Sequence, residues 1–195
     1  MKPLIDFESS QSSIDIKSNY AWRLASTPMG QPDLFPEGSL FNDLAYNFNR
    51  ASLSWYSIDP LFFRNNAFTP DNIRGNPDIQ NDQYQREVFS QELYPNREFQ
   101  AGTPTNVRTL DLYYRPSVRG QYNYDTLQGA YSDGINTSTG ELNNPQSRWG
   151  GITRALQTTD FELSNVEYIQ FWIMDPFDQD AIDDGHDGEG TLYLN

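Results

Sequence analysis

The most apolar run in the chain covers residues 165–177, where Ile169, Phe171 and Ile173 alternate with Tyr168, Gln170, Trp172 and Met174. One parity is aliphatic and aromatic, and the other is large and mostly apolar as well. That pattern predicts a central strand covered on both faces. Asp175-Pro176 ends it, because proline has no N–H to offer a ladder and holds its predecessor extended. The architecture read from the sequence depends on Tyr168 to Met174 being shielded above and below.

The other predicted elements are mostly strands. Leu4 to Glu8, Ile14 to Ile16, Tyr20 to Leu24 and Leu110 to Tyr114 read as short strands, and a strand follows Arg148 to Leu156. Thr191 to Asn195 also looks like a strand, cut short. Tyr46 and Phe48 share one parity while Ala51, Leu53 and Trp55 share the other. The apolar side therefore switches at Asn49-Arg50, which predicts a bulge or bend within one long strand. Ser26 to Gly38 is a Pro/Gly loop, and Arg115 to Asn144 is rich in turns. Leu61 to Asn106 is weakly patterned, with isolated rings that would pin loops over a sheet; within it, Gln83 to Phe89 fits a helical turn or a strand equally. Gly150-Gly151 permits a close backbone approach or a bulge. There is no repeat, heptad or amphipathic helix, so the expected fold is all-β, a jelly-roll β-sandwich with long loops.

Composition sharpens this picture. At 195 residues a single domain is expected, large enough to bury about 70% of its unfolded surface without staples. There is no cysteine, which excludes disulfides and thiolate metal sites but leaves the compartment open. Aromatics make up 14% of a chain that is only 36% hydrophobic, so a few large rings are expected to fill the core. A net charge of -14 repels phosphate backbones and anionic lipid, which argues against nucleic-acid or membrane-surface binding. No apolar segment approaches the roughly 20 residues of a spanning helix. The chain opens without a signal peptide and reads as a piece of a longer polypeptide.

Candidate chemistry is sparse. His186, the one histidine, sits among glycines where nothing would orient its ring for a triad. Asp178, Asp180, Asp183, Asp184 and Asp187 lie on one acidic loop and are the candidate calcium ligands. They do not form an EF-hand, since Ile182 occupies the third ligand position counted from Asp178. With 27 acidic residues, carboxylate spacing singles out no glycosidase pair. There is no phosphate-cradling loop. Asn136-Thr137-Ser138 matches a glycosylation sequon. Trp22, Trp55, Trp149 and Trp172 fit either a sugar platform or a core, with the core preferred. Arg50 and Arg148, each beside a bend, are expected either to meet carboxylates that tie loops to the sheet or to be solvent-exposed.

Several segments in order resemble the SprA/Sov family of gliding-motility and type IX secretion proteins of Bacteroidetes-type bacteria. They are residues 5–8, 12–16, 22–28, 42–44, 46–63, 86–88, 93–96, 119–124, 148–161 and the central run through Phe177. Notable among them are Trp22-Arg23-Leu24-Ala25-Ser26-Thr27-Pro28 and Arg148-Trp149-Gly150-Gly151-Ile152-Thr153-Arg154. One departure is that the family often has a second Asp before Phe7, where this chain has Asp6 alone. The resemblance implies a very large outer-membrane barrel, of which this chain would be one soluble, non-catalytic domain. Barrels of about 36 strands are the known upper limit. It further implies as partners a plug protein, the barrel protein PorV and secreted cargo at the outer membrane; an outward-facing position is expected, with the periplasmic side as the alternative. At the level of fold the chain is also similar to galactose-binding-like jelly rolls, which does not transfer sugar binding. The competing expectation is a carbohydrate-binding module recognising surface polysaccharide.

Overall fold

The computed structural model of the protein describes residues 18–102, 105–155, 171–177 and 190–194. Its strands are β1 (Arg23–Leu24), β2 (Ala51–Tyr56), β3 (Val88–Phe89), β4 (Asn106–Val107), β5 (Asp111–Arg119) and β6 (Ile152–Thr153). Helix is limited to single turns: α1 (Pro77–Gln80), α2 (Ser90–Leu93) and five 3-10 turns. The described chain is thus β-rich, with long loops and few helices. All three strand pairs, β1–β6, β2–β5 and β3–β4, are antiparallel.

Asx-Pro dipeptides start several of the turns. Asp59 accepts a hydrogen bond from the N–H of Leu61 at 2.9 Å, and Asn76 accepts from Asp78 at 3.2 Å. In each case the next residue is a proline at the first helical position, where a missing N–H costs nothing.

The chain forms two compact units. One comprises Asp15–Ile58 and Arg108–Ala155 and contains β2 and β5. Here Phe35, Ala51, Leu53 and Leu142 are buried. β2 is buried along Ala51, Ser52 and Leu53 and emerges at Tyr56. Its register with β5 jumps between Ala51, opposite Arg119, and Ser52, opposite Arg115. Pro116, Ser117 and Val118 bulge out of the ladder there, where a proline without an N–H does least harm. Gly120 is required beside this bulge, since a Cβ would lie 2.3 Å from the Ala51 carbonyl oxygen. Trp149 flanks the other edge of β2, accepting from the N–H of Ala51 at 2.8 Å.

The other unit comprises Asp59–Val107 with residues 1–14 and 156–195. Among its described residues Ile73 is the one buried apolar side chain. Its described portion consists of successive turns, α1, α2 and the two-residue β3–β4 pair. The described residues from Leu61 to Asn106 are thus mainly turns and loops, with α1, α2 and the short β3–β4 pair among them. Gln83 to Phe89 divides into a turn followed by β3.

The structure corrects four readings. Phe171 to Met174 are irregular, and Trp172 and Ile173 are 59% and 65% exposed. Alternation records side-chain character along the chain, but burial needs a partner strand, and none pairs with 171–174 among the described residues. The rest of that run, Asn165 to Gln170, lies outside the described residues, as do the expected strands at Leu4 to Glu8 and Ile14 to Ile16. Thr191 to Leu194 are likewise irregular and exposed. Of Tyr20 to Leu24, only Arg23 and Leu24 are strand, because Asn19–Ala21 closes into a 3-10 turn. The parity switch near Asn49-Arg50 is not a bulge inside one strand. Tyr46 belongs to the 3-10 turn Leu44–Asn47, β2 starts at Ala51, and the bulge is on β5.

Candidate functional site

The densest polar arrangement among the described residues is centred on Arg148, in the unit that contains β2 and β5. Its side chain and that of Asp125 are both 0% exposed, and Nη1 lies 3.3 Å from Asp125 Oδ2. The guanidinium donates in every direction available to it. Nε donates to the Asn143 carbonyl at 2.9 Å, and Nη2 donates to the carbonyls of Gly134 at 3.0 Å and Asn143 at 2.8 Å. Nη1 also donates to the Phe48 carbonyl at 2.9 Å and Asn49 Oδ1 at 3.2 Å. A planar fork of five N–H groups suits this task, and an ammonium does not.

Neighbouring groups extend the knot. The Ser132 hydroxyl donates to Asp125 Oδ2, and the Gly134 N–H donates to Ser132 Oγ. Asn123 caps the Asp125 N–H through Oδ1 at 2.8 Å and donates from Nδ2 to the carbonyls of Phe48 and Arg50. The Tyr114 hydroxyl, on β5, donates to the Arg148 carbonyl at 2.7 Å. Burial pushes the Tyr114 phenol up to about 12, against the opposing pull of the Arg148 charge. Gly150 is confined here, because a Cβ would meet Leu53 and the Tyr114 ring at 3.0 Å. The knot thereby joins 47–50, β5, 123–125, 132–134 and 143–148. Neither charged side chain reaches solvent, and the pair ties these loops together.

Trp149 is the second focus of this unit. Its indole N–H donates to Oε1 of the buried Glu37 at 3.2 Å, and Phe35 meets its ring edge-on at 5.8 Å. The Arg50 guanidinium lies 4.8 Å over the ring and donates to the Ala25 carbonyl and Asn47 Oδ1. Arg50 therefore binds a carbonyl, an amide and a ring where a carboxylate was one expectation; Arg148 does find one. Desolvation lowers the Arg50 pKa.

Trp22 and Trp55 are half-buried, and Trp55 donates to the Asn19 carbonyl at 3.1 Å. In the other unit, the exposed Trp172 meets Tyr94 with rings 6.2 Å apart at 89°. The two rings are perpendicular and so do not form a coplanar platform. The sequon asparagine is part of a tight hairpin turn, Asn136 Oδ1 accepting from Ser138 at 2.9 Å and Thr139 at 3.3 Å.

Asp178, Asp180, Asp183, Asp184, Asp187 and His186 lie outside the described residues. Among the described residues no group of three His, Asp or Glu side chains stands close enough to hold a metal ion. Asp125, Ser132, Asn123 and Glu37 were not legible as buried groups. Asp125 falls in a turn-rich stretch between tyrosines, and no local pattern marks it. The one usable signal was Arg148 beside Trp149-Gly150-Gly151, a cation next to a backbone crossing. Compared with protein-family models and with curated protein sequences, the chain matches none.

Proposed function

We propose that the chain is a non-catalytic structural and interaction domain of the type IX protein secretion translocon. In this reading it is one domain, residues 1–195, of a much larger outer-membrane polypeptide and faces the cell exterior. The remainder of the barrel, a plug protein, PorV and exported cargo would be its partners. The ordered resemblance to the SprA/Sov family motivates the proposal. The observation that carries it is the Arg148–Asp125 knot, in which two charged side chains without solvent exposure are committed to holding loops. A scaffold needs such rigidity, whereas a catalytic pair must meet solvent or substrate.

The perpendicular Tyr94–Trp172 rings favour this reading over a carbohydrate-binding module, which needs coplanar exposed rings beside polar groups. The proposal extends to a jelly-roll sandwich. The antiparallel β1–β6, β2–β5 and β3–β4 pairs support it, beside one parallel bridge between Arg50 and Trp149, but Phe171 to Met174 are exposed and are no part of a covered central strand. Calcium at Asp178 to Asp187 is retained as an optional ligand. An equal melting temperature in excess chelator and in excess calcium would remove it.

The deciding experiment is deletion of this segment from the parent protein in a gliding bacterium. Loss of cargo export and gliding is expected, with both intact in His186→Ala. Micromolar glycan binding that is lost on changing Tyr94 or Trp172 would overturn the reading in favour of the sugar module.

A further inference from the structure

β5 has β2 along one side. Among the described residues its one backbone bond outside that pair is at Ser117, whose carbonyl accepts from the Leu142 N–H at 2.8 Å. A proline decides which of its other backbone groups are left over. Opposed residues of an antiparallel pair either exchange both bonds or leave the bonding to their neighbours. Were Ser52–Arg115 of the second kind, Pro116 would have to donate an N–H that it lacks. Ser52 and Arg115 therefore bond each other, and Ser54 with Tyr113 and Tyr56 with Asp111 follow at the same parity. The N–H and C=O groups of Leu112 and Tyr114 consequently point away from β2, and no described residue bonds them. Leu112 and Tyr114 are 49% and 39% exposed. Unpaired groups along a strand edge accept another strand.

The residues of β5 select which strand. A second copy laid antiparallel about a two-fold axis at Tyr113 sets Leu112 opposite Tyr114 of the partner subunit. The free N–H and C=O of both residues are then satisfied in both copies. The neighbouring registers fail. Centring on Tyr114 sets Leu112 against Pro116 of the partner subunit, which has no N–H, and centring on Leu112 calls on Leu110, which lies outside the strand. The Tyr113 register also sets Asp111 opposite Arg115 of the partner subunit, twice over. Within its own chain Arg115 donates to Ser52 Oγ at 2.8 Å and lies 5.5 Å over the Tyr113 ring, and it meets no carboxylate among the described residues. Opposed charges and opposed Leu–Tyr side chains both favour such a pairing.

We propose that β5 pairs with β5 of a second copy in this register, joining two β2–β5 ribbons into one four-stranded antiparallel sheet. Backbone geometry and charge select the same register independently, and an unrelated strand would match only the first. The contact is confined to residues 111–115, because Pro116 and the Leu142 bond close the edge beyond them. Each copy also carries a net charge of -14. The dimer is therefore weak, with a dissociation constant of about 0.1–1 mM. The inference rests on the unit that contains β5 and holds whether or not the chain belongs to a translocon.

The test measures translational diffusion and residue-resolved amide exchange of the full chain from about 0.05 to about 2 mM. Diffusion is expected to slow with concentration, and the amides of Leu112 and Tyr114 to gain several-fold protection over the same range. The amides of Tyr113 and Arg115, bonded to β2, should be protected throughout. A thiol probe checks the register. The chain has no cysteine, and Tyr113, 55% exposed, would lie on the two-fold axis with opposed Cα atoms about 4.5 Å apart, within disulfide reach. Tyr113→Cys is therefore expected to oxidise to a linked dimer at least about tenfold faster than Tyr20→Cys, at a position 94% exposed. Diffusion that does not change with concentration would overturn the proposal, as would equal oxidation rates. Leu112 and Tyr114 amides already protected in dilute solution would overturn it too, by placing another segment of the chain on this edge. A dimer in which those two amides still exchange freely would assign the contact to another surface. The exchange measurement needs no variant, so misfolding of Tyr113→Cys would not rescue the idea.

Discussion

The two units stabilise themselves by different means. In the one with β2 and β5, a fully buried ion pair is held by backbone carbonyls from several loops that accept from Arg148, while Oδ1 of Asp125 is buried without a hydrogen-bond partner; Phe35, Leu53 and Leu142 are among the buried apolar side chains of that unit. In the other, the described ion pairs are at the surface. Arg64 pairs with Glu87, and Arg86 lies 2.8 Å from Glu92, with the arginine side chains 49% and 39% exposed. Exposed pairs contribute about 0–1 kcal/mol each, whereas breaking a buried one costs several. With few aliphatic residues to pack, one unit is organised around a desolvated charge and the other relies on short local bonds. Amide exchange is accordingly expected to be slower across 51–56 and 111–119 than across 60–95. Equal protection in the two stretches would erase the distinction.

The largest effect is expected for Asp125→Ala. It leaves the Arg148 charge buried without a partner and should cost about 3–5 kcal/mol in chemical denaturation. A loss below about 1 kcal/mol would mean that water reaches the knot. Next comes Thr69→Val in the turn-rich unit. Thr69 Oγ1 accepts from the Asn66 N–H and donates to the Arg64 carbonyl, and the residue is 1% exposed. Loss of both bonds should cost about 1–3 kcal/mol.

Tyr114→Phe should cost about 1 kcal/mol at neutral pH through the lost bond to the Arg148 carbonyl. It also has a pH signature. The folded phenol holds its proton up to about 12, while an unfolded tyrosine loses it near 10. The unfolded state therefore binds fewer protons above pH 10, and stability falls as pH rises from about 10 to about 12. In Tyr114→Phe that decline should be shallower, and absorbance of tyrosinate should lose one late-titrating ring. Tyr56, raised by burial and by Asp111, keeps some of the slope.

The smallest effects belong to the surface of the turn-rich unit. Glu87→Gln should shift stability by less than about 1 kcal/mol. Trp172→Ala should cost about 0.5–1.5 kcal/mol, the range of an aromatic pair. A loss of about 3–5 kcal/mol there would instead describe an enclosed ring and restore the covered strand.

Local features were legible where the physics is local. Leu110 to Tyr114 carried β-type residues, and the strand there starts at Asp111 and runs on to Arg119 past a proline that the bulge accommodates. Pro and Asx positions marked the turns of 61–106 because a fixed φ and a side-chain cap act within three residues. Gly150 marked a close approach because absence of a Cβ is visible in a sequence. Arg148 was singled out with a carboxylate as one option, but which one it meets was not readable.

What the amino-acid order settled by itself was the β-rich, turn-punctuated character, the lack of thiol chemistry and the acidic field. Each follows from residue type or nearest-neighbour pattern. Only the tertiary structure decided that Asp125, 23 residues from Arg148, closes a buried knot and that Phe171 to Met174 stay wet. Burial and charge pairing are properties of segments brought together from far apart, and an alternating pattern carries no record of whether a partner strand arrives.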